Sequence, residues 1–333
     1  MSEKKSDNPA DRIYLGIDGG QSHTEAIIAD ERGNIIGGGF GGASNHAEVP
    51  GGRERLRQAI ANSVGEALKN ASLPPLNETV FASAHCGMTG GADYKTEIIG
   101  EIIKAEKLTV GHDAPTALCG ATAGKPGIVV IAGTGSVVYG ENQAGNAAQI
   151  GGLGFLFADE GSGFWLAAQT IRLAIKERDD LIADNDLQRL VLSFFGRETL
   201  REITSDYYNG KISRDEIASL AKAAATAAEN GNRILREQIC FGAAVLAASV
   251  RSAARRLEFD DKFPVAGIGG MFRGELMREY FRESLTEQSP NAVFTPPRLS
   301  PPVGALLLAY KQNGFPINET LLANLEKSQT NNE

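Results

Sequence analysis

The chain has 333 residues, enough for about two domains, and its 42% apolar and 22% charged residues exclude disorder as the dominant state. A net charge of −8 argues against a nucleic-acid binder. Three cysteines without a paired spacing exclude a four-ligand zinc set and are the count expected in a reducing cytoplasm.

The start, MSEKKSDNPADR, has no apolar core, so a solvated tail over residues 1–11 is expected rather than a signal peptide. No apolar stretch approaches the ~18 residues that cross a bilayer, so no membrane association is expected. Short apolar runs follow at Ile13 to Ile17, Thr24 to Ala29 and Asn34 to Gly37, joined by tight turns. They predict an antiparallel meander. Leu56, Ala59, Ile60, Val64, Ala67 and Leu68 recur at helical spacing and predict a helix over 53–70, which Pro74-Pro75 ends. A strand from Val80 to His85, a helix from Asp93 to Ala105 and a strand from Leu108 to Gly111 then predict parallel pairing with helical crossovers.

The plan starts again at Gly127 to Ala132, with a glycine turn and a second strand from Val137 to Gly140. Helices are expected over 161–177, 186–195, 213–228 and 231–257. A strand at Val265 to Gly269 follows, with a helix from Glu275 to Leu285 and a last one from Gly304 to Gln312.

Three glycine turns and two acidic positions stand out. In Gly16-Ile17-Asp18-Gly19-Gly20-Gln21-Ser22-His23-Thr24, glycines at a strand end let backbone N–H groups approach an anion, and Ser22 and Thr24 add hydroxyls. Asp18 suits a magnesium ion reached through water. An ordinary glycine hairpin explains the segment equally well. The second turn, Gly133-Thr134-Gly135-Ser136, also joins two apolar strands, and two such hairpins facing each other would clamp a polyphosphate. The third, Gly267-Ile268-Gly269-Gly270, has bare backbone that would accept a flat purine, or is simply a strand-to-helix turn. Asp113, just beyond a strand end, is either a proton acceptor or the N-cap of the next helix. Asp159-Glu160 either decorates a helix start or accepts hydrogen bonds from sugar hydroxyls. Ser44-Asn45-His46 lies in a polar loop.

In this order, GIDGGQSHT (16–24), SNH (44–46), Asp113, GTGS (133–136), GGLGFLFADEGSGFW (151–165) and GIGGMF (267–272) resemble the actin-like ATPase superfamily. More closely, they resemble the BadF/BadG/BcrA/BcrD-type family that includes N-acetylglucosamine kinases, from about Ile13 to Tyr310. The resemblance implies an α/β, two-domain actin-like (ribonuclease H-like) fold with mixed sheets, flanking helices and a central cleft. Its domains would be 12–118, joined by a C-terminal helix at about 303–325, and 119–302 with helical additions. It implies ATP-dependent phosphorylation of an amino sugar at its 6-hydroxyl, with Mg2+; the cysteine count points to the cytoplasm, and the long Ala-rich helices offer a face for a homodimer.

By residue, the resemblance implies phosphate binding by Gly19, Gly20, Gln21, Ser22, Thr24, Gly133, Thr134, Gly135 and Ser136, with the metal at Asp18. Adenosine would lie on Gly269 and Gly270. Asp113 would be the catalytic base, and Asn45, Thr89, Asp113, Gly152, Gly154 and Asp159 would touch the sugar. Val137, Leu153, Phe155 and Ala158 depart from the family pattern, which leaves the identity of the sugar open. Two other activities occur on this fold: an ATPase that activates a partner protein through a cysteine-bound iron–sulfur cluster, and a sugar sensor without catalysis. The dispersed cysteines and the short tail argue against both.

Overall fold

A computed structural model describes residues 12–44, 50–90 and 93–330. The chain divides into two compact units. One runs to Lys125 and takes up the chain again from Pro297, and the other spans Pro126–Pro296.

The first unit begins with β1 (Ile13–Gly19), β2 (Thr24–Asp30) and β3 (Ile35–Gly41), paired antiparallel in sequence. Helix α1 (Gly52–Asn70) crosses to β4 (Ser83–Met88), which pairs parallel with β1, and α2 (Asp93–Ile102) crosses to β5 (Leu108–His112), parallel with β4. The sheet order is β3-β2-β1-β4-β5. Helices α3 (Asp113–Thr122), α10 (Pro301–Gln312) and α11 (Glu319–Thr330) complete the unit.

β1 reads as one apolar run because both of its faces are covered. Leu15 and Ile17, with Ala26 and Ile28 of β2, pack with Leu56, Ile60 and Val64 of α1. Tyr14, with Ile27 and Ala29, packs on the other face with Val303, Leu306 and Tyr310 of α10. Each fully buried aliphatic side chain stabilises the unit by about 1.5–3 kcal/mol. Arg298 ties α11 in place through ion pairs with Glu319 and Glu326.

The sequence predicts the third strand only as far as Gly37, and the structure extends it to Gly41. The glycines that suggest a loop are there because α1 lies on them. A Cβ at Gly37, Gly39 or Gly41 would fall 2.1–2.3 Å from the carbonyl oxygens of Ala67, Ser63 and Ala59, one turn apart along α1.

The second unit repeats the plan. β6 (Gly127–Ala132), β7 (Ser136–Glu141) and β8 (Ala147–Gly151) form an antiparallel meander. β9 (Phe263–Ile268) and β10 (Ala292–Thr295) add in parallel, for an order of β10-β9-β6-β7-β8. Between β8 and β9 come α4 (Gly163–Arg178), α5 (Leu187–Phe195), α6 (Leu200–Tyr208), α7 (Arg214–Glu229) and α8 (Arg233–Arg256). A 3-10 turn (Gly270–Arg273) and α9 (Glu275–Gln288) lie between β9 and β10. No helix among the described residues is long and apolar enough to cross a membrane.

The β3–α1 contact predicts that Gly39→Ala destabilises the fold by about 1–3 kcal/mol, because the new methyl meets backbone that cannot yield. Phe40→Ala, at the neighbouring exposed position, is expected to change stability by no more than about 0.5 kcal/mol. Urea midpoints of the two variants check this, and equal midpoints contradict it.

Candidate functional site

In the first unit the site grows from the end of β1. Gly20 N donates to His23 O at 2.9 Å, closing the β1–β2 turn. Gly19 has no room for a side chain, since a Cβ there would lie 2.4 Å from Met88 Cε and 2.7 Å from Ser44 Oγ. Buried Ser44 donates to Gly20 O from both its amide and its hydroxyl. Thr24 is fully buried and its hydroxyl donates to Gly42 O at 2.9 Å, which braces the turn against β3. Ser22 and His23 are exposed, and Gln21 Oε1 is buried with no partner among the described residues.

Thr89 follows β4 and gathers the surrounding elements. Its amide donates to Gly19 O at 2.9 Å, its hydroxyl donates to Asp113 Oδ2 at 2.5 Å, and its carbonyl accepts from Nζ of Lys95, a fully buried side chain on α2. Asp113 is not the N-cap that the sequence offers as one reading. His112 holds that position, and Asp113 is the first helical residue, with its carboxylate on Thr89. Asp18 lies within β1 rather than after it. Burial, then the charges of Asp113 and Glu25, push its pKa up to about 7.

No cluster of three or more His, Cys, Asp or Glu among the described residues forms a metal site by itself. A hard cation at Asp18 would therefore take most of its oxygens from water and a bound ligand. The residues fit such a cation, because a positive charge there favours the ionised carboxylate that burial, and then the charges of Asp113 and Glu25, disfavour.

In the second unit the turn between β6 and β7 sits on the start of α4. Gly163 N donates to Gly133 O at 2.8 Å and Phe164 N to Thr134 O at 3.2 Å. Ser136 Oγ donates to Glu160 O at 2.9 Å. Gly269, at φ +97°, packs against this turn; a Cβ would fall 2.5 Å from Ala132 O. Gly270 beside it faces open space, so the second and third glycine turns are neighbours. Asp159 is only 5% exposed and lies against Gly135, where a Cβ would stand 2.8 Å from its Oδ2. Burial raises the Asp159 pKa, while Arg214 and hydrogen bonds from the backbone of Ser136 and Gly154 act to lower it. Gly152 abuts Val137, and Leu153, Leu156 and Phe157 are exposed.

The structure thus gathers Asp18, Gly19, Gly20, Thr89 and Asp113 in one unit, and the 133–136 turn, Gly154, Asp159 and Gly269 in the other. Asn45 lies outside the described residues. Sequence reasoning missed Lys95, Glu25 and Arg214. Lys95 and Glu25 look like surface charges in their elements. Arg214 follows the helix-starting Ser213, whose capping box with Glu216 was readable.

The raised Asp18 pKa carries a stability consequence. The native state keeps a proton that the unfolded chain releases, so stability falls as pH rises from about 4 to about 7. Asp18→Asn removes that cost, and in ligand-free, metal-free buffer it is expected to stabilise the chain above pH 7 by about 2–4 kcal/mol. The gain should disappear toward pH 4. Denaturation midpoints across this range check it, and a gain independent of pH contradicts it.

Comparisons with known proteins agree with the fold. The model of the BadF/BadG/BcrA/BcrD ATPase family matches residues 15–309. The chain is 29% identical over 307 residues to the N-acetylmuramic acid/N-acetylglucosamine kinase of Clostridium acetobutylicum, covering 90% of this chain and 98% of that protein. It is 27% identical to the N-acetyl-D-glucosamine kinase of Dictyostelium discoideum, covering 89% and 97%. Among solved structures, a candidate N-acetylglucosamine kinase from Chromobacterium violaceum superposes with a TM-score of 0.75 at 26% identity, covering 90% of this chain and all of that one. A ROK family glucokinase from Streptomyces griseus, solved with glucose and AMPPNP, shares the fold at a TM-score of 0.57 and 18% identity, covering 89% and 98%. The paired mixed sheets are those of the actin-like ATPase and sugar kinase fold. With its family match running through both units, this chain belongs to the BadF/BadG/BcrA/BcrD ATPase family.

Proposed function

We propose that the chain transfers the terminal phosphoryl group of ATP to the 6-hydroxyl of an amino sugar of the N-acetylglucosamine or glucosamine type. The observation that carries the reading is the Asp113 carboxylate, oriented by Thr89 beside the β1–β2 turn. The substrates of the two kinases similar over nearly the whole chain support the choice of sugar.

Asp113 accepts the proton of the sugar hydroxyl while that oxygen bonds to the γ-phosphorus and the bond to the ADP oxygen breaks. Thr89 donates to Oδ2 and holds the carboxylate in orientation. Backbone N–H groups of the β1–β2 turn at Gln21 and Ser22, and of the β6–β7 turn at Thr134 and Gly135, bind phosphate oxygens, while the Gly20 and Gly133 amides hold the two turns in shape by donating to His23 O and Gly135 O. The Thr24 hydroxyl, directed at Gly42 O, keeps the first turn in shape. Asp18 would hold Mg2+ through water, and the ion would offset phosphate charge. Gly270, with open space beside it, leaves the flat access that adenosine needs, and Gly269 packs this turn against the β6–β7 turn. Thr89 is the first unit's candidate sugar contact, and Gly152, Gly154 and Asp159 are those of the second unit. Val137 fills the space beside Gly152, and Phe155 packs edge to face with Phe164, so this part of the proposed sugar site is apolar.

An ADP-release assay with Mg·ATP and N-acetylglucosamine, glucosamine, N-acetylmuramic acid, N-acetylmannosamine or glucose tests the reading. One amino sugar is expected to stimulate turnover strongly. Asp113→Asn is expected to lower kcat about 10²–10⁴-fold, with both KM values near wild type. Full activity in that variant removes Asp113 as the base. ADP release that ignores every sugar overturns the acceptor and favours an ATPase that serves a partner protein.

A further inference from the structure

We infer that Arg214 is a positioning residue: its ion pair with Asp159 fastens the 152–158 loop against the 133–136 turn and keeps Asp159 available as an ionised hydrogen-bond acceptor. The inference deepens the sugar kinase reading and rests on it for the role of Asp159.

Five observations in the second unit meet at this pair. Arg214 Nη2 lies 3.2 Å from Asp159 Oδ2, across 55 residues of sequence. The guanidinium lies over two rings, 4.8 Å from the centroid of Phe155 in the loop and 5.6 Å from that of Phe164 on α4. Those rings pack edge to face at 4.7 Å. Asp159 itself is in the left-handed region at φ +70°, a conformation that needs support from its surroundings. Gly135 leaves the space into which the carboxylate fits.

Arg214 is also placed firmly at its own end. It is the first residue of α7, directly after Ser213, which accepts from Glu216 N at 3.1 Å while the Glu216 carboxylate accepts from Ser213 N at 2.7 Å. A planar guanidinium both pairs with a carboxylate and stacks on rings, and lysine does only the first well. Arg214 Nε is buried without a hydrogen-bond partner among the described residues. The side chain is thus held by Asp159 and the two rings although one donor goes unpaired.

The charged groups acting on Asp159 are Arg214 from α7 and Glu160 from its own loop. The β6–β7 turn and the loop contribute backbone groups at Ser136 and Gly154. Glu160 opposes ionisation, and Arg214 is the cation that favours it. Without Arg214, a carboxylate this buried holds its proton to higher pH. A protonated Asp159 has a hydrogen to donate and fewer lone pairs to offer to sugar hydroxyls.

Activity and stability then respond to pH in opposite directions, and that separates positioning from packing. In Arg214→Met, sugar KM is expected to rise about 10-fold or more at pH 6 and to recover toward pH 9, with the acid limb of kcat/KM moved up by about one pH unit. The thermal midpoint without ligand is expected to do the reverse. Its deficit against wild type should be small near pH 5 and widen toward pH 9, because ionising an unpaired buried carboxylate destabilises the fold. Arg214→Lys should restore most of the acid limb, and Asp159→Asn in the Arg214→Met background should remove the pH-dependent part of the deficit. If activity and midpoint fall in parallel at every pH, or the deficit is flat with pH, the inference fails. The midpoint series needs no sugar, so it stands even if the kinase reading fails. A widening deficit with an unchanged sugar KM would instead remove the role of Asp159 at the sugar.

Discussion

Thr89 is the joint on which the first unit's site depends. Its three polar groups reach three elements: the end of β1 through Gly19, the start of α3 through Asp113, and α2 through Lys95. A charged donor on a neighbour's carbonyl and a hydroxyl on a carboxylate are among the stronger hydrogen bonds a protein makes. The glycine turn and the carboxylate are therefore placed relative to each other by one residue. The fully buried Lys95 serves that residue; leaving the ammonium unpaired would be far more costly than pairing it.

The two sheets share one plan, a three-stranded meander extended by two parallel strands, but they handle buried charge differently. In the first unit burial, and then the charges of Asp113 and Glu25, push the Asp18 carboxyl toward neutrality. That is an unfavourable arrangement for an empty chain and a favourable one for a cation. In the second unit Asp159 has a resident cation in Arg214. The first arrangement trades stability for binding, and the second fixes a loop rich in left-handed glycines, among them Gly151, Gly152 and Gly154.

What was legible in the sequence is what depends on neighbours in the chain. The β1–β2 and β6–β7 turns, and most helices of the second unit, follow from apolar period and turn residues. The end of β3 was hidden, because Gly37, Gly39 and Gly41 are dictated by the backbone of α1 and not by a turn. β8 and β10 are only five and four residues long. α3 carries Pro115 and Gly120, and Gly120 is where its backbone meets that of Leu299 and Ser300. α6 begins with the readable capping box of Thr199 and Glu202, which the sequence reading passed over. The site divides in the same way. Its glycine turns were readable as local patterns, but Thr89–Asp113 and Asp159–Arg214 join residues 24 and 55 apart, and no spacing rule announces such pairs.

The central claim is that Asp113 directs a phosphoryl group from ATP onto the 6-hydroxyl of an amino sugar. Its most direct measurement is the structure of the product, by phosphorus–proton correlation NMR on the sugar recovered after incubation with Mg·ATP. The account predicts a phosphomonoester coupled to the two protons on C6. Phosphate on another carbon, or inorganic phosphate with the sugar unchanged, would contradict it.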